Sequence, residues 1–204
     1  MTDIKAVIFD MGGVFIRTRD NHARQELAEQ YGKTVEELSQ ILFLSPLSIK
    51  AEVGLLTREE LFPQLMPLIG APVEKTFEFV EKFFSGDEED KELVAYARSL
   101  RPHYKLGLLS NAFPGTRAWM QERHTFLSVF DVSYFSAEVG LRKPDPRFFQ
   151  LILDDLGVKA GEALFVDDFE ENIIGAQEMG IRTVWFKEPA AAFAKLKRTL
   201  PLPG

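Results

Sequence analysis

Short apolar runs alternate along the chain with longer stretches in which apolar residues recur every three or four positions. Residues 4–9 (IKAVIF) are apolar and β-branched, end at Asp10 and run into Gly12-Gly13, which predicts a buried strand entering a sharp turn. Runs of the same kind occur at residues 105–109 (KLGLL), 132–135 (VSYF), 163–166 (ALFV) and 183–186 (TVWF). Between them, residues 117–122, 146–156 and 172–179 read as helices, with Gly157 and Gly180 where C-terminal caps belong. Apolar strands alternating with helices predict an α/β fold, a Rossmann-like parallel sheet with helices on both faces.

From about residue 18 to residue 90 this rhythm breaks, with helix signals and no convincing strand. Thr34 with Glu37 and Thr57 with Glu60 have capping-box spacing, and Ser45-Pro46 suits a cap followed by the first helical position. Gly32 and Gly70 read as stops. Leu38, Ile41 and Leu42, then Leu61, Leu65 and Leu68, then Phe79 and Phe83 recur at helical spacing. The predicted organisation is a Rossmann-like core (1–17 and 91–204) interrupted by a small all-helical cap (18–90). The acidic run 86–92 (GDEEDKE) is expected to begin a helix on the return to the core and otherwise to be a solvated surface.

Composition narrows the classes. The 204 residues are 46% hydrophobic and 27% charged, with 31 acids against 24 bases and a net charge of −7. That balance suits a folded chain with one substantial core and argues against a nucleic-acid partner, which needs basic patches. No run approaches the ~18 apolar residues of a membrane helix. The first residues, MTDIKAVIFD, lack signal-peptide features, and there is no cysteine, so a cytoplasmic protein without disulfides or thiolate chemistry is expected.

Ligands of an open parallel sheet bind at the carboxyl ends of its strands. Polar clusters stand at those predicted ends: Asp10, Ser110-Asn111 and Asp167-Asp168, with Arg142-Lys143-Pro144 a short loop after the third run. Crowded carboxylates raise one another's pKa, and a divalent cation relieves the repulsion. Magnesium fits best, because it takes oxygen ligands from one or two carboxylates together with substrate phosphate. Gly12-Gly13 lets the backbone approach an anion, its N–H groups forming a nest.

These clusters, in this order, resemble the haloacid dehalogenase superfamily of phosphohydrolases. Residues 7–14 (VIFDMGGV), 108–111 (LLSN), 140–145 (GLRKPD) and 165–172 (FVDDFEEN) look like its four motifs, and the helical insertion lies where the family carries a cap. The resemblance implies an aspartyl-phosphate on Asp10, Mg2+ held by Asp10, the Gly12 carbonyl and Asp168 with Asp167 acting through water, Lys143 neutralising the phosphoryl charge, and Ser110 bonding a phosphate oxygen. Gly12, Gly13, Ser110, Asn111 and Lys143 are the expected substrate-binding positions, and a small phosphorylated metabolite the expected partner. Typical members carry a second aspartate at the position of Gly12, which protonates the leaving oxygen. An Asp-x-Gly first motif, and residues 52–62 (EVGLLTREELF), are similar to the sugar-phosphate phosphatase group containing α-D-glucose-1-phosphate phosphatase. A sugar phosphate is therefore the expected substrate, and phosphates with good leaving groups the favoured ones. Two readings stay open beside it: a metal-free 2-haloacid dehalogenase, which the adjacent Asp167-Asp168 argue against, and a binding or regulatory protein whose catalysis has decayed.

The remaining residues have ordinary expectations. Asn172 is read as a helix cap with a possible supporting role. His22, His103 and His124 are scattered and read as surface or packing residues. His22, with Arg17, Arg19 and Arg24, follows the first motif, where a solvated helix face competes with a role facing substrate. For Phe43, Phe62, Phe77, Phe79, Phe83 and Phe84, lining the interior of the helical insertion competes with lining the closed site, and core packing is the default.

Overall fold

The structure, a computed structural model, describes residues 3–201, so residues 1–2 and 202–204 of the expected core lie outside it. The chain opens with β1 (Ala6–Phe9) and a short strand, β2 (Ile16–Thr18). The helices α1 (His22–Gln30), α2 (Val35–Ser39), α3 (Pro46–Glu52), α4 (Arg58–Ile69) and α5 (Thr76–Phe83) follow. A second short strand, β3 (Asp87–Glu89), leads into α6 (Lys91–Leu100), β4 (Lys105–Ser110) and α7 (Thr116–Arg123). The rest alternates through β5 (Val132–Phe135), α8 (Ser136–Val139), α9 (Pro146–Leu156), β6 (Ala163–Asp167), α10 (Glu170–Glu178), β7 (Arg182–Trp185) and α11 (Pro189–Thr199).

The five apolar runs form one parallel sheet in the order β5-β4-β1-β6-β7. Alternation along each strand splits the core in two. Val7, Phe9, Leu106, Leu108, Leu164 and Val166 pack on the α6 side with Leu93, Ala97 and Leu100. Ala6, Ile8, Leu109, Ala163 and Phe165 pack on the other with Phe148, Ile152 and Leu156 of α9. Each fully buried large side chain contributes about 1.5–3 kcal/mol, so burial on both faces holds the sheet. Gly107 is placed by the same packing, because a Cβ there would stand 2.8 Å from Ile152 Cδ1.

The helices α1–α5 have a third core of their own, including Leu27, Leu38, Leu61, Leu65, Ile69, Phe79 and Phe83. Both expected capping boxes are present: the Thr34 and Thr57 hydroxyls accept from the Glu37 and Glu60 N–H groups at 3.1 and 3.2 Å. Ser45 caps α3 with Pro46 in its first turn, and Gly70 ends α4 in the left-handed region. Leu68 falls off the buried stripe of α4, which runs through Leu61, Leu65 and Ile69, and Phe77 is 78% exposed rather than packed.

The helical segment is edged by a ribbon that periodicity did not predict, β2 paired antiparallel with β3. The acidic run there is only in part the solvated surface expected: Glu88, Lys91 and Glu92 are exposed, while Asp87 and Asp90 are drawn into pairs. Asp87 accepts from the Thr18 hydroxyl at 2.7 Å and from Arg24 at 2.7 and 3.0 Å. Asp90 is buried, pairs with Arg17, and caps α6 by accepting from the Leu93 N–H at 3.0 Å. The helix start expected in this run is therefore found, while the strand was hidden because its partners are far back in the chain. Among the described residues no helix is long and apolar enough to cross a membrane.

Candidate active site

Asp10 follows β1 directly, Ser110 ends β4, and Asp167 ends β6, so three neighbouring central strands deliver polar side chains to the carboxyl end of the sheet. Register makes this exact in the chain: the Asp10 N–H donates to the Val166 carbonyl at 2.8 Å, which sets it beside Asp167. The loop before α9 brings Lys143 into the same place. Its ammonium, 1% exposed, donates to Asp10 Oδ1 at 2.6 Å and to Asp167 Oδ2 at 2.7 Å.

That loop is held from two sides. The Asn111 amide donates to the Lys143 carbonyl at 3.0 Å, and Asn111 Oδ1 accepts from the Lys143 N–H at 2.8 Å. The Lys143–Pro144 peptide is cis, and Gly175 of α10 lies so close that a Cβ would stand 2.7 Å from Pro144 Cβ. Asn111 was expected among substrate contacts. It lines the cavity, yet both ends of its amide are committed to positioning Lys143.

The two adjacent aspartates differ. Asp167 is fully buried and accepts from Lys143, from the Phe169 N–H at 2.7 Å and from Asn172 Nδ2 at 3.1 Å on both oxygens. Asn172 therefore holds Asp167 and does not cap α10, whose cap position is Phe169. Asp168 Oδ1 is buried with no hydrogen-bond partner among the described residues. Gly13 makes room for this carboxylate: at φ +68° it is left-handed, and a Cβ there would stand 2.0 Å from Asp168 Oδ2. The Gly13 N–H donates to the Ile16 carbonyl at 2.9 Å, so it is not free to join an anion nest.

One oxygen from each of Asp10, Asp167 and Asp168 lies within 4.8 Å of the others. Burial raises the Asp10 carboxyl to about 7; Lys143 opposes the shift and Asp167 adds to it. Burial, then Asp10 and Asp167, raises Asp168 to about 8. Burial pulls Lys143 down, but Asp10 and Asp167 outweigh it and leave the ammonium above its ordinary value. Three carboxylates against one lysine, with one oxygen unsatisfied, is a donor set suited to a small hard cation.

Above the cluster lies a cavity of about 510 Å³ between the carboxyl ends of the strands and the helices α1–α5. Asp10, Gly12, Ser110, Lys143 and Asp168 line one end of it. Phe113, Trp119 and Met120 also line the cavity, as do Glu52, from the segment 52–62, and His124, which is neither a surface nor a purely packing residue. The Phe113 signal was available in its position two residues after Asn111. His124 has no partner legible in the sequence because Glu89, the carboxylate 3.9 Å from its Nδ1, comes from the β2–β3 ribbon. Glu52 of α3 accepts from Arg142 Nε at 2.7 Å, joining the helical layer to the loop of Lys143; burial raises its carboxyl despite that pairing.

A parallel α/β sheet with a buried lysine and clustered carboxylates at its strand ends, beneath a helical layer, defines a Rossmann-like hydrolase. A model of the haloacid dehalogenase-like hydrolase family matches residues 4–180. The chain belongs to that family. It is 29% identical over 188 residues to a D-ribitol-5-phosphate phosphatase of Bacteroides thetaiotaomicron, covering 88% of this chain and 90% of the relative. It is 26% identical over 198 residues to a sesquiterpene phosphatase of Aspergillus oryzae, covering 97% of both. A haloacid dehalogenase family enzyme of Bacteroides thetaiotaomicron, solved with magnesium and inorganic phosphate, superposes with a TM-score of 0.71 at 25% identity over 89% of this chain and 93% of that one. With these relatives the chain is a phosphohydrolase; they do not single out the α-D-glucose-1-phosphate phosphatase group.

Proposed function

We propose that the protein is a magnesium-dependent phosphatase that transfers the phosphoryl group of a small phosphate monoester to Asp10 and then to water. The observation that carries this reading is the buried Lys143 ammonium bonded to both Asp10 and Asp167 beside the unpartnered Asp168 oxygen. Asp10, the Gly12 carbonyl and Asp168 are the groups to hold magnesium, which when bound supplies positive charge against phosphate and carboxylates. Asp167, whose oxygens are already taken by Lys143, the Phe169 N–H and Asn172, acts on the site through Lys143 rather than through a bound water. That oxygen without a partner favours the phosphatase over a metal-free dehalogenase.

Lys143 on Oδ1 orients the Asp10 carboxylate for attack on phosphorus. An Asp10–phosphorus bond forms as the ester oxygen leaves, and water then breaks that bond to release phosphate and restore Asp10. Ser110, buried at the end of β4, donates to a phosphate oxygen, and Lys143 offsets charge as it develops. Gly12 supplies no side-chain acid for the leaving oxygen, so esters with good leaving groups react fastest. Residues 18–90 act as the cap, excluding water above the strand ends. The name of the ribitol-5-phosphate relative supports a sugar or polyol phosphate, and that of the sesquiterpene relative an apolar one.

Turnover of an aryl phosphate with magnesium tests the reading. Asp10→Asn is expected to lower kcat by about 10³-fold or more, and a chelator to abolish activity reversibly. Chelator-resistant turnover, or an Asp10→Asn variant near wild type, would overturn it.

A further inference from the structure

The floor of the cavity is built for charge, and its walls are not. Phe43, Phe62, Val80, Phe84, Phe113 and Trp119 all line it, and Phe43, Phe84, Phe113 and Trp119 are only partly buried within an otherwise packed structure. They are not scattered. Phe43 lies 6.1 Å from Phe84, Phe84 lies 6.2 Å from Trp119, and Trp119 lies 6.4 Å from His124, a continuous aromatic surface from the helical layer to the core.

Several polar side chains on the same walls are already committed, although Arg17 Nε, also on the lining, is buried without a partner among the described residues. Thr18 donates to Asp87, and Ser39 donates to the Val35 carbonyl at 2.9 Å. Arg24 is held by Asp87 and by the Phe83 carbonyl at 3.0 Å, with its guanidinium 4.4 Å from the Phe83 ring centre. Arg142 pairs with Glu52, whereas the Arg58 guanidinium lies 5.6 Å from the Phe62 ring centre, a contact that takes up none of its N–H donors. A polyol entering here would exchange water for walls that return few hydrogen bonds, whereas a hydrocarbon would cover aromatic surface.

We propose that the cavity selects the phosphate ester of an apolar alcohol, its chain or ring lying along Phe43, Phe84 and Trp119 while the phosphate reaches Asp10. This names the substrate class of the phosphatase site and rests on that reading. The volume of about 510 Å³ is in the range of pockets that bury a drug-sized ligand, far more than a phosphate requires.

The test is a chain-length series. With magnesium present, kcat/KM for n-alkyl phosphates from ethyl to octyl is expected to climb about three- to four-fold per methylene until the walls are covered. Octyl phosphate is expected to exceed D-ribitol 5-phosphate by at least about ten-fold, and Phe84→Ser to flatten the climb. Binding of the matching n-alkylphosphonates, followed by calorimetry, separates the two layers of the argument. Turnover with a flat series, or a preference for the polyol, overturns the apolar selection and leaves the phosphatase standing. Phosphonate affinity that climbs with chain length while no ester is hydrolysed overturns the phosphatase and leaves the apolar selection; flat affinity with no hydrolysis overturns both.

Discussion

Lys143 is where the chemistry of single residues is most concentrated. A fully buried ammonium is tolerated because two carboxylates receive it, and those carboxylates are tolerated because it is there. Lys143→Met leaves Asp10 and Asp167 buried with no cation, so denaturant unfolding should show a loss of about 3–5 kcal/mol, with activity abolished. Gly12 offers the opposite test. Its φ is not left-handed, and a Cβ built there meets nothing within 4 Å, so a side chain fits without strain. Gly12→Asp should fold normally and raise kcat on simple alkyl phosphates about ten-fold or more, by adding the acid that the leaving oxygen lacks. An unchanged kcat would show that leaving-group protonation does not limit the reaction.

At the scale of elements, α10 and the loop before α9 meet at one glycine. An alanine at position 175 would ordinarily favour the helix by about 1 kcal/mol. Here its Cβ would stand 2.7 Å from Pro144 Cβ and 3.1 Å from the Pro144 carbonyl oxygen, and neither is a flexible tip. The clash should win: Gly175→Ala is expected to destabilise by about 1–3 kcal/mol and to lower kcat by displacing Lys143, measured by unfolding and steady-state kinetics. A gain in melting temperature would refute it. The elements themselves were largely readable. β5 and α9 coincide with the expected runs, and the capping boxes of α2 and α4 stand where threonine and glutamate are three apart. The β2–β3 ribbon was not readable, because a three-residue strand of Asp-Glu-Glu carries no periodic signal. Its stability comes from Thr18, Arg24 and Arg17, whose partners lie 63 to 73 residues away.

Across the whole molecule, the sheet body and the β2–β3 ribbon meet at His124. Its ring lies against Trp119 and Phe126, and its Nδ1 is 3.9 Å from a Glu89 oxygen on the ribbon. Burial holds its pKa below the usual 6.5 although Glu89 pulls the other way. A histidine with a depressed folded pKa contributes stability above its unfolded value, and that contribution is lost as pH falls through 6.5. The melting temperature of His124→Gln should therefore drop less than that of wild type between pH 7.5 and pH 5; an equal drop would remove the histidine from the account. The parallel sheet, the helical insertion and the polar clusters at strand ends were determined by the sequence alone, because periodicity, caps and strand-end residues are written within a few positions of one another. Tertiary structure decided that Asp167 is saturated while Asp168 keeps an unpartnered oxygen, that Asn111 and Asn172 hold other residues in place, and that aromatic rings cover the cavity walls. Each of these depends on which distant side chains meet, as Lys143 meets Asp10 across 133 residues, and no local pattern records such a meeting.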